Sequence, residues 1–285
     1  MNIFQKIPIL IFFFFTAVGA YIFVYLLKNK FSKERYKNLC QRIKTWLVII
    51  SFFYLGSINK VSMIVLFSLI SYLSLIEFLK LFDVKITAET KMISILIIGS
   101  NYFLIYQKMI YIFYFFIPAI IILISIFFSK GKKIILSLFF SVYLMSFISY
   151  LVNIETGISL ILAWIILIEL NDVYQYITGN IFGKRKIVPR ISPNKTLEGV
   201  IGGIIMTTAT IFFLDIAYEY KINIWMGPII AILGFLGDIS ISYFKRKTNK
   251  KDSGTILAGH GGILDRVDSL VFNSPVILLM TLYLN

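Results

Sequence analysis

The chain has 285 residues, of which 59% are hydrophobic and only 15% charged. Soluble domains carry about 25% charged residues and disordered chains more, so both classes are excluded. The 28 Lys and Arg against 14 Asp and Glu give a net charge of +14; they fall between apolar runs, which points to membrane orientation and anionic headgroups rather than nucleic acid.

Ten apolar segments follow in order: 7–27, 46–58, 61–82, 92–106, 109–129, 133–152, 158–178, 199–219, 225–243 and 268–284. Most approach the roughly 20 residues that cross a hydrocarbon layer as a helix. In lipid each segment must satisfy its own backbone, so the expected class is all-α: a polytopic integral membrane protein of nine or ten transmembrane helices. Segments 46–58 and 92–106 are short enough to be tilted or re-entrant. The first segment is read as a retained anchor. The stretches 28–44, 130–133, 179–198 and 244–267 are basic, whereas 59–60, 107–108, 153–157 and 220–224 are short and nearly uncharged. Ten crossings put every basic stretch on one side, which the positive-inside rule makes cytoplasmic. The lone Cys40 excludes an internal disulfide framework.

The halves differ in kind. Residues 1–155 read as transmembrane helices between basic loops, and 156–285 as a transmembrane catalytic region. The second half holds most of the acids and the only histidine, His260. Polar residues concentrated in this way within a membrane protein mark a site.

The first cluster runs from Glu169 to Gly203. Glu169 and Asp172 are three apart and share a helix face, as site carboxylates or as solvated helix-end residues. Ser192-Pro193-Asn194-Lys195-Thr196-Leu197-Glu198-Gly199 opens the next helix, whose free N–H groups and dipole suit a phosphate. Gly199 and Gly203 can equally mark close helix packing.

The second cluster is denser. Asp238, Ser242 and Lys245 lie on one helix face; Lys251-Asp252-Ser253-Gly254 and Gly259-His260-Gly261-Gly262 follow; Asp265 and Asp268 open the last helix. Carboxylates from two helix ends make a hard oxygen site of the kind Mg²⁺ uses with substrate phosphates. Lys245, Arg246, Lys251 and Arg266 can offset phosphate charge. The glycine loop lets backbone approach a ligand closely. His260 suits a general acid, a phosphate contact or a loop-fixing hydrogen bond.

The stretch Ser242-x-x-Lys245-Arg246-x-x-x-x-Lys251-Asp252-x-Gly254, with Gly259-His260-Gly261-Gly262-x-x-Asp265-Arg266-x-Asp268, resembles the signature of phosphatidate cytidylyltransferases (CDP-diglyceride synthetases). Asp172, Gly183-Lys184 and the 192–199 stretch resemble that family's upstream motif. Asn171 before Asp172, Val173-Tyr174-Gln175-Tyr176 after it, and Ala258 in place of a proline put the chain on a divergent branch. The resemblance implies that CTP and phosphatidic acid give CDP-diacylglycerol and pyrophosphate, in phospholipid biosynthesis. It also implies a homodimer in the inner membrane of a bacterium, its site facing the cytoplasm, with Mg²⁺ and a possible second cation, K⁺. Carried over, Asp238 and Asp265 are metal ligands and, with Lys245, Lys195 and His260, the catalytic set. Asp172, Ser192, Asn194, Thr196, Glu198, Ser242, Arg246, Lys251, Asp252, Gly261, Gly262, Arg266 and Asp268 are expected to bind substrate. The competing readings are a non-catalytic nucleotide- or lipid-binding homologue and a transporter with a cytoplasmic phosphate site; Glu77 and Asp215 are that transporter's few intramembrane acids.

Overall fold

The computed structural model describes Tyr25 and residues 33–126, 131–218, 223–257 and 261–283. These form nine helical rods: α1 (Lys33–Gly56), α2 (Lys60–Leu81), α3 (Ala88–Tyr106), α4 (Ile110–Ile126), α5 (Gly131–Asn153), α6 (Gly157–Phe182), α7 (Leu197–Tyr218), α8 (Met226–Lys247) and α9 (Leu264–Tyr283). No strand occurs among the described residues. The protein is therefore an all-α polytopic membrane protein. Six helices, α2, α3, α5, α6, α7 and α8, are long and apolar enough to cross a membrane by length and composition. The apolar parts of α1 and α4, Leu47–Gly56 and Ile110–Ile120, are shorter.

Nine of the ten apolar segments coincide with these rods; segment 7–27 lies outside the described residues, Tyr25 apart. The segment at 92–106 proves long enough to span, because α3 gains a turn from Ala88 behind its Thr87 cap. Part of the basic stretch 28–44 is helical as well: α1 starts at Lys33, where Lys, Glu and Arg are good helix formers. α8 likewise runs on through Lys245-Arg246-Lys247, cations that suit a helix C-terminus.

Three helices end in the same way. Asp83, Lys108 and Asn249 take positive φ just past the C-caps of α2, α3 and α8. After α2, Asp83 N–H donates to Lys80 O and Val84 N–H to Leu79 O. The same double bond recurs from Lys108 and Met109 after α3, and from Asn249 and Lys250 after α8. This is the Schellman arrangement, reached here without glycine.

The first-half helices wrap the second. Phe78 of α2 and Phe82 at its C-cap, Phe140 of α5 and Phe244 of α8 form one aromatic cluster, with centroids 5.2–6.1 Å apart. Phe140 also meets Phe272 of α9 at 5.7 Å. Within α5 the turns widen to a π-helix at Phe139–Leu144 and tighten to a 3-10 helix at Phe147–Asn153. There Ser274 of α9 inserts its hydroxyl: Ile148 N–H donates to Ser274 Oγ at 2.7 Å, and Ser274 Oγ donates to Met145 O at 3.1 Å. A side chain inserted into the backbone ladder is a known cause of helix irregularity.

Helices α6 to α9 pack through small residues. A Cβ on Gly237 of α8 would come within 2.3 Å of Asp268 O on α9. One on Gly199 of α7 would meet Gln175 O of α6 at 2.8 Å, and one on Gly203 would meet the Gln175 side chain at 2.5 Å. Close packing therefore accounts for both Gly199 and Gly203.

Candidate active site

The loop after α6 folds back on itself. Lys186 and Thr196 form a bridge, Ile187 N–H donates to Lys195 O, and Leu197 N–H donates to Arg185 O. Thr196 Oγ1 accepts from Gly199 N–H at 3.1 Å, satisfying one of the free donors that begin α7. Glu198 Oε2 accepts from Lys184 and Arg185 N–H at 2.9 and 3.1 Å. Four residues expected to bind substrate thus divide. Thr196 and Glu198 hold the loop, Ser192 closes a turn with Val188, and Asn194 is exposed. Their joint effect is to project Lys195 toward α8.

Lys195 Nζ stands 2.8 Å from Asp238 Oδ2, with both side chains about four-fifths covered. Burial works against the ammonium, but the Asp238 and Asp172 carboxylates outweigh it and hold its pKa above the ordinary lysine value. Asp238 Oδ1 accepts from Ser242 Oγ at 3.1 Å, one turn along α8. One further turn on, Lys245 Nζ donates to Asp265 Oδ1 at 2.8 Å, a pair less than a tenth exposed. The sequence-expected face of α8 is therefore real, and each end of it carries a lysine–aspartate pair.

Two further carboxylates face this row. Asp172 Oδ2 accepts from Ser269 Oγ at 2.7 Å, while Asp172 Oδ1 is buried with no hydrogen-bond partner among the described residues. Asp268 is buried; its Oδ1 accepts from its neighbour Ser269 N–H at 2.8 Å. Asp172, Asp238 and Asp268 are close enough to repel one another, with Lys195, Lys245 and Arg266 supplying the opposing charge. Carboxylates gathered in this way carry strain that a cation or a phosphate-bound metal relieves.

The glycine loop has its own logic. Asp265 Oδ2 accepts from Ser253 N–H at 2.8 Å and from Gly262 N–H at 2.9 Å. Glu77, reaching in from α2 and only 2% exposed, accepts from Ile263 N–H at 3.0 Å and Leu264 N–H at 2.9 Å. Ser253 Oγ lies 3.0 Å from both Glu77 Oε2 and Asp265 Oδ2. A Cβ on Gly254 would meet Glu77 Oε1 at 2.5 Å, and one on Gly262 would meet Glu77 Oε2 at 2.3 Å. Gly261 holds φ +82° with Asp265 Oδ2 where its Cβ would be. Carboxylate oxygens of the protein itself stand where a Cβ would be at these glycines.

Of the remaining sequence candidates, Arg246 is a strut: its Nε donates to Ile191 O at 3.1 Å and its Nη1 to Lys250 O at 3.0 Å. Lys251 and Asp252 are exposed on the same loop. Arg266 lies beside Asp172 and Glu169, its Nε buried without a hydrogen-bond partner among the described residues. His260 falls outside the described residues. Sequence reasoning offered Glu77 only as an intramembrane acid of the transporter reading and did not place it at this site, although a lone acid in an apolar span was its signal. It also missed the buried amides Asn171, Gln175 and Asn273 beneath the site; Asn171 accepts from Thr207 Oγ1 at 3.3 Å, and Asn273 donates to Ser269 O at 2.8 Å.

The donor set fits a hard divalent cation. It is all oxygen, and Asp172 offers a buried oxygen with no donor. Among the described residues no three metal-ligating side chains converge into a ready cage.

Comparison with known proteins adds an independent line. The cytidylyltransferase family matches residues 40–284. An uncharacterised protein, YnbB of Escherichia coli (strain K12), is 45% identical over 127 residues, 44% of this chain and 43% of its own. A phosphatidate cytidylyltransferase of Staphylococcus haemolyticus is 41% identical over 137 residues, 47% of this chain and 53% of its own. One from Staphylococcus aureus (strain COL) is 43% identical over 129 residues, 42% and 48% of the two chains. The chain thus spans about half the length of the curated relatives it matches.

Proposed function

The chain belongs to the cytidylyltransferase family, and from that premise we propose that it is a phosphatidate cytidylyltransferase, joining CTP and phosphatidic acid into CDP-diacylglycerol with release of pyrophosphate. The observation that carries this reading is the group of close carboxylates Asp172, Asp238 and Asp268, interleaved with Lys195, Lys245 and Arg266. A reaction between two phosphate-bearing anions needs that mixture: oxygen donors for a cation, and cations for phosphate.

In the proposed step a phosphate oxygen of phosphatidate attacks the α-phosphorus of CTP in line. The new phosphorus–oxygen bond forms as the α–β bridge breaks, and the electron pair leaves with pyrophosphate. The nucleophile is already anionic, so no covalent enzyme intermediate or strong base is required. Mg²⁺, when bound, supplies positive charge to the phosphate oxygens and the leaving group. Asp238 and Asp265 would hold it; in each, one oxygen bears a lysine ammonium. Lys195 and Lys245, paired with these aspartates, would offer their charge to substrate phosphates when the cation is held. Ser242 and the backbone of Ser253 and Gly262 keep the two carboxylates aimed meanwhile. The cytoplasmic facing of this end of the bundle, a bacterial inner-membrane location and a homodimer belong to the same proposal.

The test is pyrophosphate release by detergent-purified protein. Release should require CTP, phosphatidic acid and Mg²⁺ together. No release with all three present, while a staphylococcal relative works in the same detergent, would overturn the reading.

A further inference from the structure

We propose that the apolar cavity beside the carboxylates receives an acyl chain of the lipid substrate, with Arg266 at its inner end meeting the phosphate; this rests on the function proposed above. The cavity measures about 390 Å³ and lies between α1, α2, α6 and α9. Among the described residues its only polar lining residues are Glu169 and Arg266; every other lining side chain is aliphatic or aromatic. That composition matches ligand pockets, which are mostly apolar with a few polar groups that fix orientation.

Its two ends differ. At the rim, Phe52 of α1 and Leu69 of α2 are 50% and 43% exposed, whereas Leu162 on the far wall is 3% exposed. The rim therefore opens between two helices whose outer faces are apolar, on the side a hydrocarbon tail approaches from. The inner end is next to the chemistry. Glu169 precedes Asp172 by three residues on α6, and Arg266 follows Asp265 directly. Arg266 brings to that end a buried Nε with no hydrogen-bond partner among the described residues. A guanidinium with a free donor suits a phosphate oxygen. A nucleotide base would leave its own polar edge unsatisfied against these walls. A tail in the cavity with its headgroup at Arg266 sets the phosphate beside Asp172, Lys195 and Asp265.

The experiment compares dioctanoyl and dioleoyl phosphatidate in mixed micelles for the wild type and the rim variant Leu69→Trp. Narrowing the cavity should raise KM for the dioleoyl lipid by about fourfold per methylene expelled. KM for the dioctanoyl lipid, whose shorter chains need not reach the rim, and for CTP should stay near wild type, which also shows that the variant is folded. Equal effects on both lipids, or none on either, would overturn the inference. A second arm needs no variant: phosphatidate with a photoactivatable group in its acyl chain should label the stretches 48–53, 66–73 or 162–170 of the wild type. Labelling confined to other stretches, such as 7–27 or α7, would also overturn it. A wild type inactive on both lipids would count against the functional reading alone, because labelling still tests the cavity.

Discussion

Replacing Glu77 gives a sharp test of how the site is held. Its carboxylate accepts from Ile263 and Leu264 N–H, two of the first-turn donors of α9 that no intrahelical partner can satisfy, and lies within reach of Ser253 Oγ. Glu77→Ala strands both buried N–H groups, each at about 1–3 kcal/mol, and removes an anion from a helix N-terminus. A loss of about 3–5 kcal/mol follows from those terms. Glu77→Gln keeps one acceptor but turns an amide N–H toward the remaining donors, so about 1–2 kcal/mol is expected. At about 2–4 °C per kcal/mol, the alanine variant should unfold at least about 6 °C below wild type in detergent, and the glutamine variant should fall between. Pyrophosphate release should drop in the same order, because Glu77 sets the loop that donates to Asp265. An alanine variant within 2 °C of wild type, or one less damaged than the glutamine variant, would refute the assignment.

Three further outcomes follow from the geometry. Asp238→Asn should cut pyrophosphate release by about 100-fold or more while leaving the size-exclusion profile unchanged, since it removes a charge that Lys195 and the cation both need. Gly262→Ala drives a Cβ to within 2.2–2.3 Å of Ser253 Oγ and Glu77 Oε2; overpacking should cost about 1–3 kcal/mol, read as a lowered unfolding midpoint. Thr196→Ala removes the cap at Gly199 N–H; about 1 kcal/mol of stability should go, and KM for CTP should rise as Lys195 loses its fixed approach.

The sequence made the rods legible because apolar length alone determines them in lipid. It made Asp238, Ser242 and Lys245 legible because helical period places them on one face. It could not show what the glycines serve. Gly254, Gly261 and Gly262 look like a loop shaped for a ligand, yet their missing side chains make room for Glu77 and Asp265. Nor could spacing separate Arg246, a strut between two loops, from Lys195, an ammonium held on a carboxylate. Both are basic residues near the same motif, and only tertiary contacts distinguish them. Glu77 lies 176 residues from Ser253, beyond any local pattern. The positive-φ ends at Asp83 and Lys108 were also hidden, because neither residue type announces a helix stop as glycine does.

The serine bridge into α5 has a consequence for the order of assembly. Ser274 lies 126 residues downstream of the backbone N–H it accepts from. The chain is made and inserted from its N-terminus, so α5 enters the membrane before α9 exists. Hydrocarbon offers no substitute partner for an opened turn. The irregular turn between Met145 and Ile148 is therefore a late feature, acquired when α9 docks. A nascent chain stopped before Leu264 should hold α5 as a regular helix, and the arrival of the last helix reshapes one already in place.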